Sequence, residues 1–192
     1  SKMHSAFWRR AWDGGFFLGS GLAALLFGVA VGNLLQGMPL DARYVYTGSL
    51  LEQLNPYALL TGAMTVTVLA MHGSIFLYLK TEGDLPQRIH HYNWRTFGLF
   101  LVMFILTTGA TLVYVPAAVQ NFKDHPVLWI VPVLNVLAIA NIPRAIYLGR
   151  PGYAFLSSSC TIAALAFLLL AGIFPDLVPA SNDPAHSLYI YN

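Results

Sequence analysis

Five apolar stretches, at 14–35, 57–79, 97–115, 127–148 and 153–173, set the limits on what this chain can become. Each has the roughly 20 residues that a helix needs to cross a hydrocarbon core about 30 Å thick. Only the stretch at 127–148 contains an ionised side chain, Arg144, and it lies near the end, where a long side chain can snorkel to the interface. The runs are continuous rather than alternating, so helices and not barrel strands are the spanning state. Composition agrees: 57% of residues are hydrophobic and 9% charged, against roughly 25% charged in soluble domains. A water-facing shell cannot be assembled from that inventory. The expectation is an all-α fold, a polytopic transmembrane helix bundle of five spans forming one domain over residues 1–192.

Basic residues alternate from one connection to the next. Lys2, Arg9 and Arg10 precede the first span, Lys80, Arg88 and Arg95 lie between the second and third, and Arg144 and Arg150 flank the turn between the fourth and fifth. The other side carries only Arg43 and Lys123. Lys/Arg-rich connections stay in the cytoplasm, which predicts a cytoplasmic N-terminus, an outward C-terminus and an inner (plasma) membrane location. Trp8, Trp12, Tyr78, Trp94, Tyr147 and Tyr153 are expected as interface anchors on the inner side, and Tyr57, Tyr114 and Trp129 on the outer. Turn residues fit: Gly83-Asp84-Leu85-Pro86 and Gly149-Arg150-Pro151-Gly152 break helices, while Asn55-Pro56 and Pro126 open them. Pro132 and Pro143 predict a kink in the fourth span. The net charge of +2 and the lack of a dense basic cluster speak against nucleic acid as a partner. The single cysteine, Cys160, excludes a disulfide framework and CxxC chemistry. Both ends, without an initiator Met, a signal-peptide pattern or a polar tail, read as cuts through a longer polypeptide.

Polar groups within the spans are where function is sought first. Gly15, Gly19, Gly28 and Gly32 form two GxxxG pairs in the first span, whose simple reading is close helix packing. Asn33 and Gln36 share a face at its outer end and either bridge helices, cap the span or contact a ligand. Asp13, near the expected start of that span, fits a helix cap, with proton uptake as the sharper alternative. His72 is the one histidine inside a span; haem ligation, proton relay and a hydrogen bond to a neighbouring helix are its options. Polar packing is favoured, because His4, His90, His91, His125 and His186 fall in expected loops and tails and the spacing of Met64, Met71 and Met103 selects no axial partner. Asn135 and Thr107-Thr108 have the depth to line a hydrated path. The run Ser157-Ser158-Ser159-Cys160-Thr161 is expected to bond back to carbonyls of its own helix. No Walker, GxSxG, HExxH or GxGxxG pattern occurs.

The order of several motifs carries more. Trp8-Arg9-Arg10-Ala11-Trp12-Asp13, Phe17-Leu18-Gly19-Ser20, and then Phe27-Gly28-Val29-Ala30-Val31-Gly32-Asn33-Leu34-Leu35-Gln36-Gly37-Met38-Pro39 resemble subunit II of cytochrome bd-type quinol oxidases. The resemblance continues through Tyr46-Thr47-Gly48, Leu54-Asn55-Pro56-Tyr57, Lys80-Thr81-Glu82-Gly83, Pro126-Val127-Leu128-Trp129 and Ala154-Phe155-Leu156-Ser157-Ser158-Ser159. It implies a nine-span subunit with an outside amino end, of which these five spans are the fourth to the eighth. It implies that haem b, haem d and the quinol-oxidising loop belong to subunit I, with quinol the substrate of the complex. No catalytic, cofactor-binding or metal-binding residue is then expected in this chain, whose partners are subunit I, membrane quinol and the lipid bilayer. The rival readings are half of a secondary transporter, suggested by the kinked span and Asn135, and a non-catalytic membrane scaffold.

Overall fold

The computed structural model describes residues 6–81 and 85–191. Among them run six α-helices: α1 (Ala6–Gln36), α2 (Pro56–Lys80), α3 (Leu85–Tyr114), the short α4 (Ala117–Asp124), α5 (Ile130–Tyr147) and α6 (Pro151–Ile173). All but α4 are long and apolar enough to cross a membrane. A small antiparallel pair, β1 (Asp176–Val178) with β2 (Leu188–Tyr189), and the isolated bridges Met38–Ala180 and Leu40–Tyr46 are the extended pairings among the described residues.

Helix ends follow local chemistry. Asn55 caps α2, its side-chain oxygen accepting from the Ala58 N–H at 2.9 Å, with Pro56 in the first position. At the far end of α5, Gly149 has φ +64°, and the Gly149 and Arg150 N–H groups donate to the carbonyls of Ile146 and Ala145. That is the double closure of a Schellman turn, which glycine makes without Cβ strain. Gly83 and Asp84, expected to break the chain between the second and third spans, lie outside the described residues.

Four expectations need correction. α3 begins at Leu85 rather than near 97, because the hydrophobic run ends at Arg95 but nothing breaks the helix there; His90 and His91 thus sit on a helix and not in a loop. α1 likewise starts at Ala6, which leaves Asp13 exposed about two turns inside the helix and unable to cap it. Pro132 falls in the first turn of α5, where a missing N–H is harmless, so Pro143 alone interrupts the helix interior. Tyr57 is buried, with its hydroxyl 2.8 Å from Thr111 Oγ1, and is no interface anchor.

α2 is the hub, flanked by α1 and α3 and touching α6, while α5 and α6 pair as a hairpin. The core is apolar and forms where α2, α3, α5 and α6 meet: Met71, Ile75, Phe100, Ile142, Ile146 and Ala154 are fully or almost fully buried. Phe16, Phe27, Leu106, Leu137 and Leu170 face outward. So much exposed apolar surface would be a liability in water and is what a hydrocarbon solvent requires.

Candidate functional site

The polar and small residues of the spans separate into three groups at different levels of the bundle. The first is a seam between α1 and α2. A Cβ built on Gly32 would lie 2.7 Å from Ala58 Cα, and one on Gly28 would lie 2.7 Å from Gly62 Cα and collide with Thr65. On the facing helix, a Cβ on Gly62 would meet the Leu25 carbonyl oxygen at 2.8 Å. Small residues four apart on α1 thus face small residues four apart on α2, and the two backbones touch. Gly15 and Gly19 behave differently: nothing among the described residues comes within 4 Å of a Cβ placed there. The four glycines are not one surface within this chain.

The seam ends in an asparagine junction. Asn33, almost buried, donates through Nδ2 to the Val29 carbonyl at 2.9 Å and to the Gln53 carbonyl at 2.8 Å, and its Oδ1 accepts from Asn55 Nδ2 at 3.0 Å. One side chain therefore ties α1, the 37–55 loop and the cap of α2. Gln36 is the last residue of α1 and half-buried. Asn55 was legible as a cap but not as the partner of Asn33, since the pairing spans 22 residues.

At the same end the chain builds a polar lid. The Met38 N–H donates to the Pro179 carbonyl and the Ser181 N–H donates to the Met38 carbonyl, and Asn182 clamps Leu40 by accepting from its N–H at 3.1 Å and donating to its carbonyl at 2.8 Å. His186 Nδ1 lies 3.0 Å from the same carbonyl. The Asp41 carboxylate accepts from the N–H groups of Val45 and Arg43, which hold it below the usual carboxylate range, with His186 adding a smaller effect. Burial pushes the Asp176 carboxyl up, partly offset by a hydrogen bond from Ser187. Asn121 of α4 donates to the carbonyls of Ala171 and Phe174, satisfying the end of α6.

The third group lies among α2, α3, α5 and α6 toward the opposite end. His72 Nδ1 is 2.8 Å from Ser158 Oγ and its ring stacks on Phe155, centroids 4.8 Å apart. Its contacts join α2 to α6, the arrangement of a polar bridge. Ser74 and Thr96 join α2 to α3 at 2.9 Å, and Asn141 Nδ2 donates to Ser157 Oγ at 2.8 Å between α5 and α6. Ser158, Ser159 and Thr161 also bond back to carbonyls of their own helix. His90 accepts from the Trp94 indole at 3.2 Å, one turn along α3. Asn135 is 2% exposed, and its Oδ1, like Thr107 Oγ1 and both amide atoms of Asn93, is buried without a protein partner among the described residues. No sequence pattern singled out Asn93, because a lone Asn in a helix looks the same whether it faces the core or the headgroups.

What the arrangement does chemically is hold helices together by hydrogen bonds between uncharged groups. Among the described residues no three His, Cys, Asp or Glu side chains gather where a metal ion could be held.

Comparison with known proteins bears on this frame. Residues 1–192 match a family model described as cytochrome bd terminal oxidase subunit II. The chain is 32% identical over its whole length to a probable cytochrome oxidase subunit 2 of Haemophilus influenzae, covering 58% of that protein. It is 31% identical to cytochrome bd-I ubiquinol oxidase subunit 2 of Escherichia coli K12, again over the whole chain and 59% of the relative. With cytochrome bd ubiquinol oxidase subunit 2 of Bacillus subtilis it shares 27% identity over 96% of its length and 54% of the relative's. It thus spans somewhat more than half the length of the curated relatives it matches.

Proposed function

This chain belongs to the cytochrome bd terminal oxidase subunit II family, and from that premise we propose that it is the helix-packing part of a respiratory quinol oxidase subunit. In this reading the complex oxidises a membrane quinol and reduces O2. Two quinols release four electrons and four protons and leave as quinones, and one O2 takes up four electrons and four protons to become two waters. Haem b and haem d, in the partner subunit I, supply the electron-transfer and oxygen chemistry when bound. The observation that carries the reading is the family match along residues 1–192. A transporter half finds no support in that match.

The chain's own residues have three tasks on this account. The seam of Gly28 and Gly32 on Ala58 and Gly62 sets α1 against α2 without an ion pair. Asn33, Asn55 and the lid of Leu40, Asp41, Asn182 and His186 close one end of the bundle. His72–Ser158 and Asn141–Ser157 fix α6 to its neighbours. Gly15 and Gly19, open among the described residues, are the first-span positions where a helix of the partner or of another part of the subunit packs most closely. On this account His72 serves as a polar bridge from α2 to α6, through Nδ1 to Ser158 and through its ring to Phe155, and not as a haem ligand.

Orientation follows from the basic residues: the Gly149 turn and the start of α1 face the cytoplasm of a bacterial or archaeal cell, and the lid faces outward. The experiment is complementation. Membranes lacking the subunit that contains this chain should lose quinol-driven O2 uptake attributable to the oxidase and regain it with the intact subunit. A periplasm-dependent reporter should be inactive when fused after Gly149 and active after Ser181. Unchanged O2 uptake on deletion overturns the functional reading; both reporters on one side overturn the topology.

A further inference from the structure

At the turn between α5 and α6 a cavity of about 170 Å3 is lined by Asn141, Arg144, Ala145, Leu148, Arg150 and Tyr153. Two arginines, Arg144 and Arg150, line it, and among the described residues neither guanidinium lies within 4.0 Å of a carboxylate, since the one ion pair there joins His186 to Asp183. Arg144 is not free to wander: its Nη1 donates to Asn141 Oδ1 at 3.2 Å, and Asn141 is itself anchored by donating to Ser157 Oγ at 2.8 Å. Arg150 is placed by the Schellman turn, with its guanidinium carbon 5.9 Å from the Tyr153 ring centre. Leu148 and Tyr153, which line the cavity, are exposed, as are Tyr147 and Leu156 within three residues of them along the chain. Two arginines without a carboxylate partner favour an anion beside them, and the guanidinium fork matches phosphate oxygens.

We propose that the Arg144–Arg150 cavity is a headgroup site for an anionic phospholipid, with the phosphodiester between the two guanidinium groups and the acyl chains against the apolar surface of α5 and α6. The apolar flank selects lipid over soluble phosphate: a free anion would gain from the arginines alone, whereas a phospholipid also covers Leu148 and Leu156. Basic pockets at the ends of transmembrane helices hold anionic headgroups on these grounds. The site depends on the five helices lying in a bilayer and not on the oxidase reading.

The test uses the intact complex purified through a tag on the subunit, stripped of lipid in detergent and titrated with phosphatidylglycerol or phosphatidylcholine, with retained lipid counted by native mass spectrometry. The wild type should retain one phosphatidylglycerol more than the Arg144→Gln/Arg150→Gln variant. Affinity should fall about fivefold for Arg150→Gln alone and about thirtyfold for the double variant, at the usual contribution of one interfacial basic residue each. Arg144→Lys should fall between, keeping the charge but losing the fork. Arg150 is exposed, with its guanidinium beside the exposed Tyr153 ring, so its single variant reports binding even where the double variant assembles poorly. Equal phosphatidylglycerol affinity in Arg150→Gln and wild type overturns the proposal. So does equal binding of phosphatidylcholine, or displacement of the lipid by inorganic phosphate at matched concentration. A complex without haem would refute the oxidase reading while leaving the lipid count intact.

Discussion

Replacing Gly28 with alanine adds one methyl group at the point where α1 and α2 touch. The new Cβ would sit 2.7 Å from Gly62 Cα and in collision with Thr65, whereas carbon atoms in contact settle about 3.5–4.0 Å apart. The helices must separate by roughly 1 Å, and the neighbouring contact of Gly32 on Ala58 loosens with them. Overpacking of this kind costs about 1–3 kcal/mol. Alanine's better helix propensity returns about 0.5–1 kcal/mol of that, leaving a net loss centred near about 1 kcal/mol and reaching about 2.5 kcal/mol. No hydrophobic drive compensates, because lipid tails solvate the parted faces as well as they solvate any apolar helix. Gly28→Leu, with a whole side chain to place, should be worse. Gly73→Ala on α2 is the control, with open space at its Cβ, and should be neutral or slightly stabilising. The assay is the thermal transition and assembled yield of the complex. Gly28→Ala should lower both while turnover per intact complex stays near wild type. A Gly28→Ala complex that melts and assembles like wild type refutes the seam; normal assembly with collapsed turnover would place a substrate or proton path on this face.

Other perturbations follow from the same contacts. Asn33→Leu leaves the Gln53 carbonyl and the Asn55 amide without their partner and should destabilise the subunit by about 1–3 kcal/mol, measurable in the same thermal assay. The lid should loosen in acid: Asp41 has its pKa lowered by folding, so its contribution is complete above the unfolded value of about 3.9 and disappears as pH falls through the lower folded value. Hydrogen-exchange protection of residues 41–45, taken relative to the intrinsic rate at each pH, should fall below about pH 4 in the wild type and lose that dependence in Asp41→Asn. Asp176 acts in the opposite sense, since its raised pKa makes protonation easier in the folded lid.

The parts of the fold that could be read in the sequence are those governed by composition over a turn or more. Each of the five spans meets the solvent requirement of the bilayer by itself, and the cap at Asn55-Pro56 and the Gly149 turn are local in the same sense. What escaped were helix extents beyond the hydrocarbon. The first turns of α1 and α3 carry Arg9, Arg10, His90 and His91, which end a hydropathy run but do not end a helix, and so Asp13 was misplaced as a cap. The glycines illustrate the limit most sharply. Spacing on α1 treats Gly15, Gly19, Gly28 and Gly32 alike, yet only the second pair meets Ala58 and Gly62, because that choice depends on where the partner helix crosses. Asn33 with Asn55, His72 with Ser158, and Asn182 with Leu40 are pairings between elements far apart in the chain, across as many as 142 residues. No local pattern encodes them. Nothing local joins the 37–55 loop to the segment after α6, so the lid was not legible as one structure.

The central claim is that this chain packs and positions an oxidase whose haems lie elsewhere, and one measurement addresses it directly: the reduced-minus-oxidised absorbance spectrum of the complex purified through the subunit, in the wild type and in His72→Gln. The account predicts b-type and d-type haem bands in both, equal in height per assembled complex, since His72 bridges α2 to Ser158 and Phe155 of α6. A preparation with no haem would contradict the oxidase assignment, and loss of one band in an assembled His72→Gln complex would make this chain a haem ligand.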